Sequence, residues 1–167
     1  MRTLLTTTAA ALSILMTTGM AGTFFGFSAG VMPGLNAAGP RSAIEAMQGI
    51  NQRIQNPLFL AAFMLAPLVA IVAGVLLLMA DRKAAALLFF AAAAVYFVGA
   101  FVPTVAVNVP MNNDLDAVRI PSDPAAAARI WSDYSGRWTA WNTARAVFSA
   151  ASVLLMSYGL YRWGQDG

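Results

Sequence analysis

The stretch PLFLAAFMLAPLVAIVAGVLLLMA, residues 57–80, decides the fold. It holds no charged residue, and it exceeds the about 20 helical residues that cross a hydrocarbon core about 30 Å thick. It reads as a membrane-spanning helix. Working outward, three more apolar runs of spanning length lie at about 4–32, 84–107 and 138–163. The first three have no charge in their interiors. The pattern predicts an all-α integral membrane four-helix bundle, one domain over residues 1–167.

Composition agrees. Of 167 residues, 59% are hydrophobic and only 10% charged, where a soluble domain carries about 25% charged residues. The net charge of +3 comes from ten basic residues scattered along the chain, without the clustering that grips nucleic acid. There is no cysteine and no histidine. That removes disulfides, thiolate nucleophiles, zinc sites of the usual type and haem held by His or Cys. A metal would need carboxylate and amide oxygens alone, and no metal or cofactor is expected.

A cleaved leader is the competing reading of the first run, because Met1-Arg2 precedes it. The run continues through Phe24, Phe25 and Phe27, however, and no small-residue cleavage pattern appears near Ala21. An even number of spans puts Arg2, the Asp81-Arg82-Lys83 turn and Arg162 on one side. On the other, Arg41, Arg53, Arg119, Arg129 and Arg137 are diluted by Glu45, Asp114, Asp116, Asp123 and Asp133. Positive charge in the tightest segments points to a multi-pass protein of the cell membrane with both termini cytoplasmic.

The two longer connections then lie outside. In residues 41–55, Ile44, Met47, Ile50 and Ile54 recur at helical spacing, with Gln48, Asn51, Gln52 and Gln55 on another face. This predicts an amphipathic outer helix after the first span. Asp123 before Pro124 reads as an N-cap with proline at the first helical position. The short outer helix it starts is expected to end at Gly136, before the fourth span. Pro67 and Pro103 fall inside spans and are expected to kink them. Gly22, Gly26 and Gly30 form a small-residue stripe, and Ala66, Ala70 and Gly74 a matching one. Packing within the bundle is the preferred reading of the glycines; a homo-oligomer through that face is the other.

The fourth span opens on Trp131-Ser-Asp-Tyr-Ser-Gly-Arg-Trp-Thr-Ala-Trp-Asn-Thr-Ala-Arg145. On a helix Trp138, then Trp141 or Asn142, then Arg145 share one face. A guanidinium within a span costs about 2.5–3.5 kcal/mol on insertion scales, so it marks a site by default. Yet Arg145 lies only about 10 Å past Trp138, and its side chain leans back towards that end. Two readings therefore stand: an aromatic belt with an arginine anchor, or a pocket. Asn108, Asn112 and Asn113, together with the polar face of the 41–55 helix, lie on the same side and favour the pocket. Asp114 or Asp133 is available to pair with Arg145, although Asp133 and Arg137 are also spaced to pair with each other.

Ala46-Met-Gln-Gly-Ile-Asn51, Asn56-Pro-Leu-Phe59, Asn108-Val-Pro-Met-Asn112 and Trp131-x2-Tyr134-x3-Trp138-x2-Trp141-Asn142-x2-Arg145 together resemble the anthrone-oxygenase-like family of small four-span membrane proteins. The likeness covers nearly the whole chain. It implies oxygenation of an anthrone to an anthraquinone without a cofactor, in an apolar slot with donors for the enolate oxygen. Trp138, Trp141 and Tyr134 would wall the slot, and Arg145 and Asn142 would donate. Asn51, Gln48, Asn108 and Asn112 would add polar contacts, and Asp133 would be the base. The alternative is a non-enzymatic protein that binds membrane lipid or a hydrophobic small molecule, or serves as a subunit of a larger assembly. A small multidrug transporter ranks last, because the first three spans lack the buried ionisable group that couples protons.

Overall fold

Asn56, Asp123 and Gly39 show how local chemistry sets the helix ends. Asn56 Oδ1 accepts the Phe59 N–H at 3.0 Å, and the Asp123 carboxylate accepts those of Ala125 and Ala126 at 3.1 and 3.2 Å. Each cap is followed by proline at the first helical position and is worth about 1 kcal/mol. Gly39, at φ +88°, makes a turn that a side chain would resist.

The computed structural model describes residues 2–165; Met1 and the Arg2 side chain, used above for the leader and for orientation, lie outside what is described. The four spans are α1 (Thr3–Ala37), α3 (Pro57–Leu78), α4 (Lys83–Asp116) and α5 (Pro124–Gln165). The amphipathic helix α2 (Pro40–Ile54) joins the first two. α1 and α4 each pack against both α3 and α5, so the spans form a ring of antiparallel neighbours. The ring has a terminal end, with the tight 79–82 turn, and a capped end under α2. Leu15, Phe25, Leu68, Val72, Leu87 and Leu154 are among the large apolar side chains exposed on its outside. Four helices of this length and polarity, with that surface, make a multi-pass membrane protein.

The core is layered. At the terminal end, Ala70, Ala73 and Leu77 of α3 meet Ala85, Ala86 and Phe89 of α4, with Ala10 and Met156. Met20, Phe24, Phe63, Ala66, Tyr96 and Ala100 fill the middle. At the capped end α2 lays Ala43, Ile44 and Met47 against Met32, Leu115, Trp131, Tyr134 and Trp138.

Three turns are wider than α-helical, over Phe27–Val31, Phe97–Phe101 and Thr104–Asn108. Each ends two residues before a proline, at Pro33, Pro103 and Pro110. The N–H groups of Met32, Val102 and Val109 reach back five residues, to the carbonyls of Phe27, Phe97 and Thr104 respectively. A proline clashes with the carbonyl four residues back and donates nothing to it. A π turn just ahead of the ring relieves that conflict. Pro103 is thus accommodated by widened turns on both sides, whereas Pro67 sits buried inside α3.

Four expectations change. The short helix does not stop at Gly136: α5 is continuous from Pro124 to Gln165. One glycine inside a helix costs about 1 kcal/mol, and the buried Trp131, Tyr134 and Trp138 on both sides of it outweigh that. The third span does not leave its helix at Val107, since α4 continues to Asp116. Asn51 lies on the buried face of α2 with Ile44 and Met47, away from the exposed Gln52 and Gln55. Finally, the glycine stripe points outward: a Cβ at Gly22, Gly26 or Gly30 would meet nothing within 4 Å. The buried face of α1 is Thr6, Ala10, Ser13, Thr17, Met20 and Phe24. Ser13 and Thr17 fit there because each hydroxyl donates to a carbonyl of its own helix.

Candidate functional site

In the capped half of the ring the helices enclose a cavity of about 420 Å3, within the range of about 300–1,000 Å3 typical of small-molecule sites. Its walls are mostly apolar. Phe24 and Phe27 come from α1, Phe59 and Phe63 from α3, and Trp138 from α5, while Met47 and Ile50 of α2 form the roof. Phe27 lies 5.6 Å from Trp138 between ring centroids, and Phe63 stacks on Phe101 at 5.4 Å.

Polar groups converge on this apolar space. Arg145 is only 6% exposed and turns into the bundle. Its Nη1 donates to Thr104 Oγ1 at 3.0 Å and its Nη2 to Asn142 Oδ1 at 2.8 Å. The guanidinium carbon sits 4.4 Å from the Phe24 ring centre and 5.6 Å from that of Trp138. Asn142 is fixed in turn: its Nδ2 donates to the Phe24 carbonyl at 2.6 Å and to Ser28 Oγ at 2.7 Å. Both side chains that accept from Arg145, Thr104 and Asn142, are neutral, and its Nε has no partner. A guanidinium carries five N–H donors, so this one holds donors in reserve beside the cavity. Asn108, also buried, donates weakly to the Trp138 carbonyl at 3.4 Å and leaves its Oδ1 unpartnered. One turn further along α4, Asn112 Oδ1 accepts from both Tyr134 Oη and Trp138 Nε1, at 2.9 and 2.7 Å, which locks the indole.

Six of the ten residues given a site role from the sequence line the cavity: Arg145, Asn142, Trp138, Asn108, Asn112 and Asn51. Tyr134 stands one layer behind, stacked on Trp138. The other three lie elsewhere. Trp141 is 40% exposed on another face of α5. Asp133 lies in a shallow surface depression with Asp114 and Arg137, so neither acid reaches Arg145. Gln48 donates to the carbonyls of Leu115 and Val118 at 2.9 and 3.0 Å, capping the C-terminal end of α4. The carboxylate tied to the cavity wall is instead Asp116, whose Oδ1 accepts from Asn51 Nδ2 at 3.1 Å. Among the described residues no three His, Cys, Asp or Glu side chains gather as a metal site would need.

Thr104, Phe24 and Ser28 were not legible as site residues. Thr104 carries a signal in hindsight, a hydroxyl directly after Pro103 in an otherwise apolar run. Phe24 and Ser28 carry none, because their role comes from facing α5 across the ring.

The family model described as anthrone oxygenase matches residues 57–155, well over half of the chain. The chain belongs to the anthrone oxygenase family. Comparisons with curated proteins and with solved structures gave no match. The matched stretch of this family member includes Phe59, Phe63, Thr104, Asn108, Asn112, Trp138, Asn142 and Arg145. The α1 wall and the α2 roof lie before it.

Proposed function

We propose that this protein is an oxygenase acting on a lipophilic aromatic of the anthrone type, without a bound cofactor. The observation that carries the reading is the Arg145 guanidinium, buried beside an aromatic-lined cavity with neutral hydrogen-bond partners and an unpartnered Nε. An anthrone carries an acidic methylene opposite its ketone. Loss of that proton gives an enolate whose oxygen is a natural acceptor for a waiting guanidinium, and donors aimed at developing charge are commonly the largest catalytic contribution.

The chemistry balances with dioxygen as co-reactant. The methylene proton passes to a base and the carbanion carbon bonds to oxygen. The hydroperoxide formed after protonation loses water, leaving a second ketone; anthrone and dioxygen become anthraquinone and water. Phe27, Phe63 and Trp138 would hold the flat rings. Arg145 would stabilise the enolate oxygen, with Asn142 and Thr104 as positioning residues for the guanidinium. Asp116, tied to the cavity through Asn51, is the favoured proton acceptor in place of Asp133. In the cell membrane the capped end would face outward and both termini the cytoplasm, following the positive charge of the short segments.

The test is oxygen uptake and quinone absorbance with anthrone in proteoliposomes, parent against Arg145→Met. Loss of one oxyanion donor lowers turnover about 100-fold or more. Equal rates above background in both proteins would refute the role given to Arg145. No turnover in either protein would favour the alternative, a non-catalytic binder of a lipid or hydrophobic small molecule.

A further inference from the structure

The cavity is not closed equally on all sides. Its α1–α5 side is shut, since Phe24, Trp138, Asn142 and Arg145 are all buried. Its roof is shut by the buried Met47 and Asn51. On the α3–α4 seam the situation reverses. Leu60 and Met64 of α3, and Val105 and Val109 of α4, line the cavity and are also 43, 48, 55 and 42% exposed on the outside of the bundle. A side chain that borders both an interior cavity and the exterior stands at an opening.

The fold explains why that seam parts. Towards the terminal end α3 and α4 are zipped by alanines, and nearer the cap the Phe63–Phe101 stack bridges them. Beyond it α4 passes through Pro103, the Thr104–Asn108 π turn and Pro110, while α3 runs straight to its cap at Asn56. Leu60 and Met64 share one face of α3, as do Val105 and Val109 on α4. Leu60 and Met64 lie about 5 and 10 Å along the axis from the start of α3. With the bilayer edge at the start of α3, Leu60 and Met64 face hydrocarbon, and Val105 and Val109 flank them across the seam. Only the corner next to α2, with the exposed Gln55 and Asn113, meets the polar boundary.

We infer that the α3–α4 seam is the ligand's entrance and opens sideways into the bilayer, so that the site takes a membrane-dissolved molecule: a flat apolar ring system bearing one acidic oxygen. The inference rests on the proposed function for the identity of the ring system. The apolar posts exclude a hydrated polar solute, because bringing polar groups through them without partners is costly. The guanidinium of Arg145, which borders the cavity, supplies the matching charge inside.

The chain has no cysteine, so single thiols can be placed at will. Val105→Cys, Met64→Cys and Asn113→Cys, in phosphatidylcholine vesicles, are each reacted with N-cyclohexylmaleimide. Association of 1,8-dihydroxyanthraquinone is then followed by stopped-flow quenching of tryptophan emission. The adducts on Val105→Cys and Met64→Cys are expected to slow association about tenfold or more, while the Asn113→Cys adduct changes it less than about twofold. Using both posts guards against one variant that folds poorly. Slowing at Asn113→Cys with both posts unaffected overturns the inference in favour of admission from water. Quinone binding without oxygen consumption by anthrone defeats the oxygenase reading and leaves the entrance standing. Absence of quenching in the unlabelled protein defeats both.

Discussion

Replacing the buried cation should harm the fold less than removing the amide that holds it. In Arg145→Met the protein gives up two charge-assisted hydrogen bonds, to Thr104 and Asn142, each worth about 1.5–3 kcal/mol. It also gives up the approach to the Phe24 face at 4.4 Å, worth about 0.5–2 kcal/mol. Against these stands the penalty of keeping a charge out of water with no opposite charge bonded to it, several kcal/mol. The two sides nearly offset, and Met fills much of the same space. The unfolding free energy of Arg145→Met should therefore lie within about 1 kcal/mol of the parent. Asn142→Leu is a different perturbation. It leaves the guanidinium in place without its Nη2 acceptor, and it strips a donor from both the Phe24 carbonyl and Ser28. Breaking a buried charged contact from one side costs about 3–5 kcal/mol. Combining the two substitutions should recover a large part of that loss, since contacting sites are not additive. Reversible SDS titration in mixed micelles, followed by tryptophan emission, measures all four proteins. If Arg145→Met proves as unstable as Asn142→Leu, the guanidinium is a keystone of the fold, and the argument for a charge held in reserve fails.

Three further outcomes follow from single contacts. Ser149 Oγ is buried without a partner, whereas Ser152 Oγ donates to the Ala92 carbonyl at 2.8 Å. In the same titration Ser149→Ala should be neutral or stabilising and Ser152→Ala should cost about 1 kcal/mol; the reverse order would contradict the assigned bond. At Gly99 a Cβ would fall 2.0 Å from Phe148 Cγ and 2.3 Å from its Cβ, so α4 and α5 must separate to admit it. Gly99→Ala should cost about 1–3 kcal/mol and be relieved by Phe148→Gly, which also removes the Cβ at 2.3 Å, as a double-mutant cycle reads directly. Gly22→Leu with Gly26→Leu should leave the stability of the monomer unchanged or higher, because both positions face open space and Gly is about 1 kcal/mol worse than Ala in a helix. A loss of stability in that variant would place the stripe inside the bundle after all, and size-exclusion with light scattering would show whether it joins two copies.

The spans were legible because hydropathy integrates over many residues, and α2 because Ile44 and Met47 repeat at helical spacing. The Trp138–Asn142–Arg145 face was legible for the same periodic reason. What sequence did not yield depended on partners across the ring. Gly136 looked like a stop, but the rings packed before and after it keep the helix going. The glycines resembled a packing stripe, yet the neighbours of α1 contact its alanine, serine and threonine face. Gln48 and Asn51 occupy one polar stretch of α2, and only the placement of α4 separates a helix cap from a cavity wall. Asp133 and Trp141 fall within the right motif but point away from the site. Thr104 takes part because Arg145 reaches across from α5 to find it.

The three widened turns have a meaning in the arithmetic of the chain. A π turn holds one residue more than the α-helical turn it replaces, and each residue advances a helix by about 100°. Phe27–Val31 and Thr104–Asn108 both touch the cavity, supplying Phe27 from one and Thr104, Val105 and Asn108 from the other. Removing one residue from either turn would rotate everything beyond it, carrying Asn108 and Asn112 off the inner face or misplacing the segment that leads into α2. The site is thus written as single-residue insertions in an otherwise regular bundle. Homologues could gain or lose it by changes in length too small to alter any hydropathy profile.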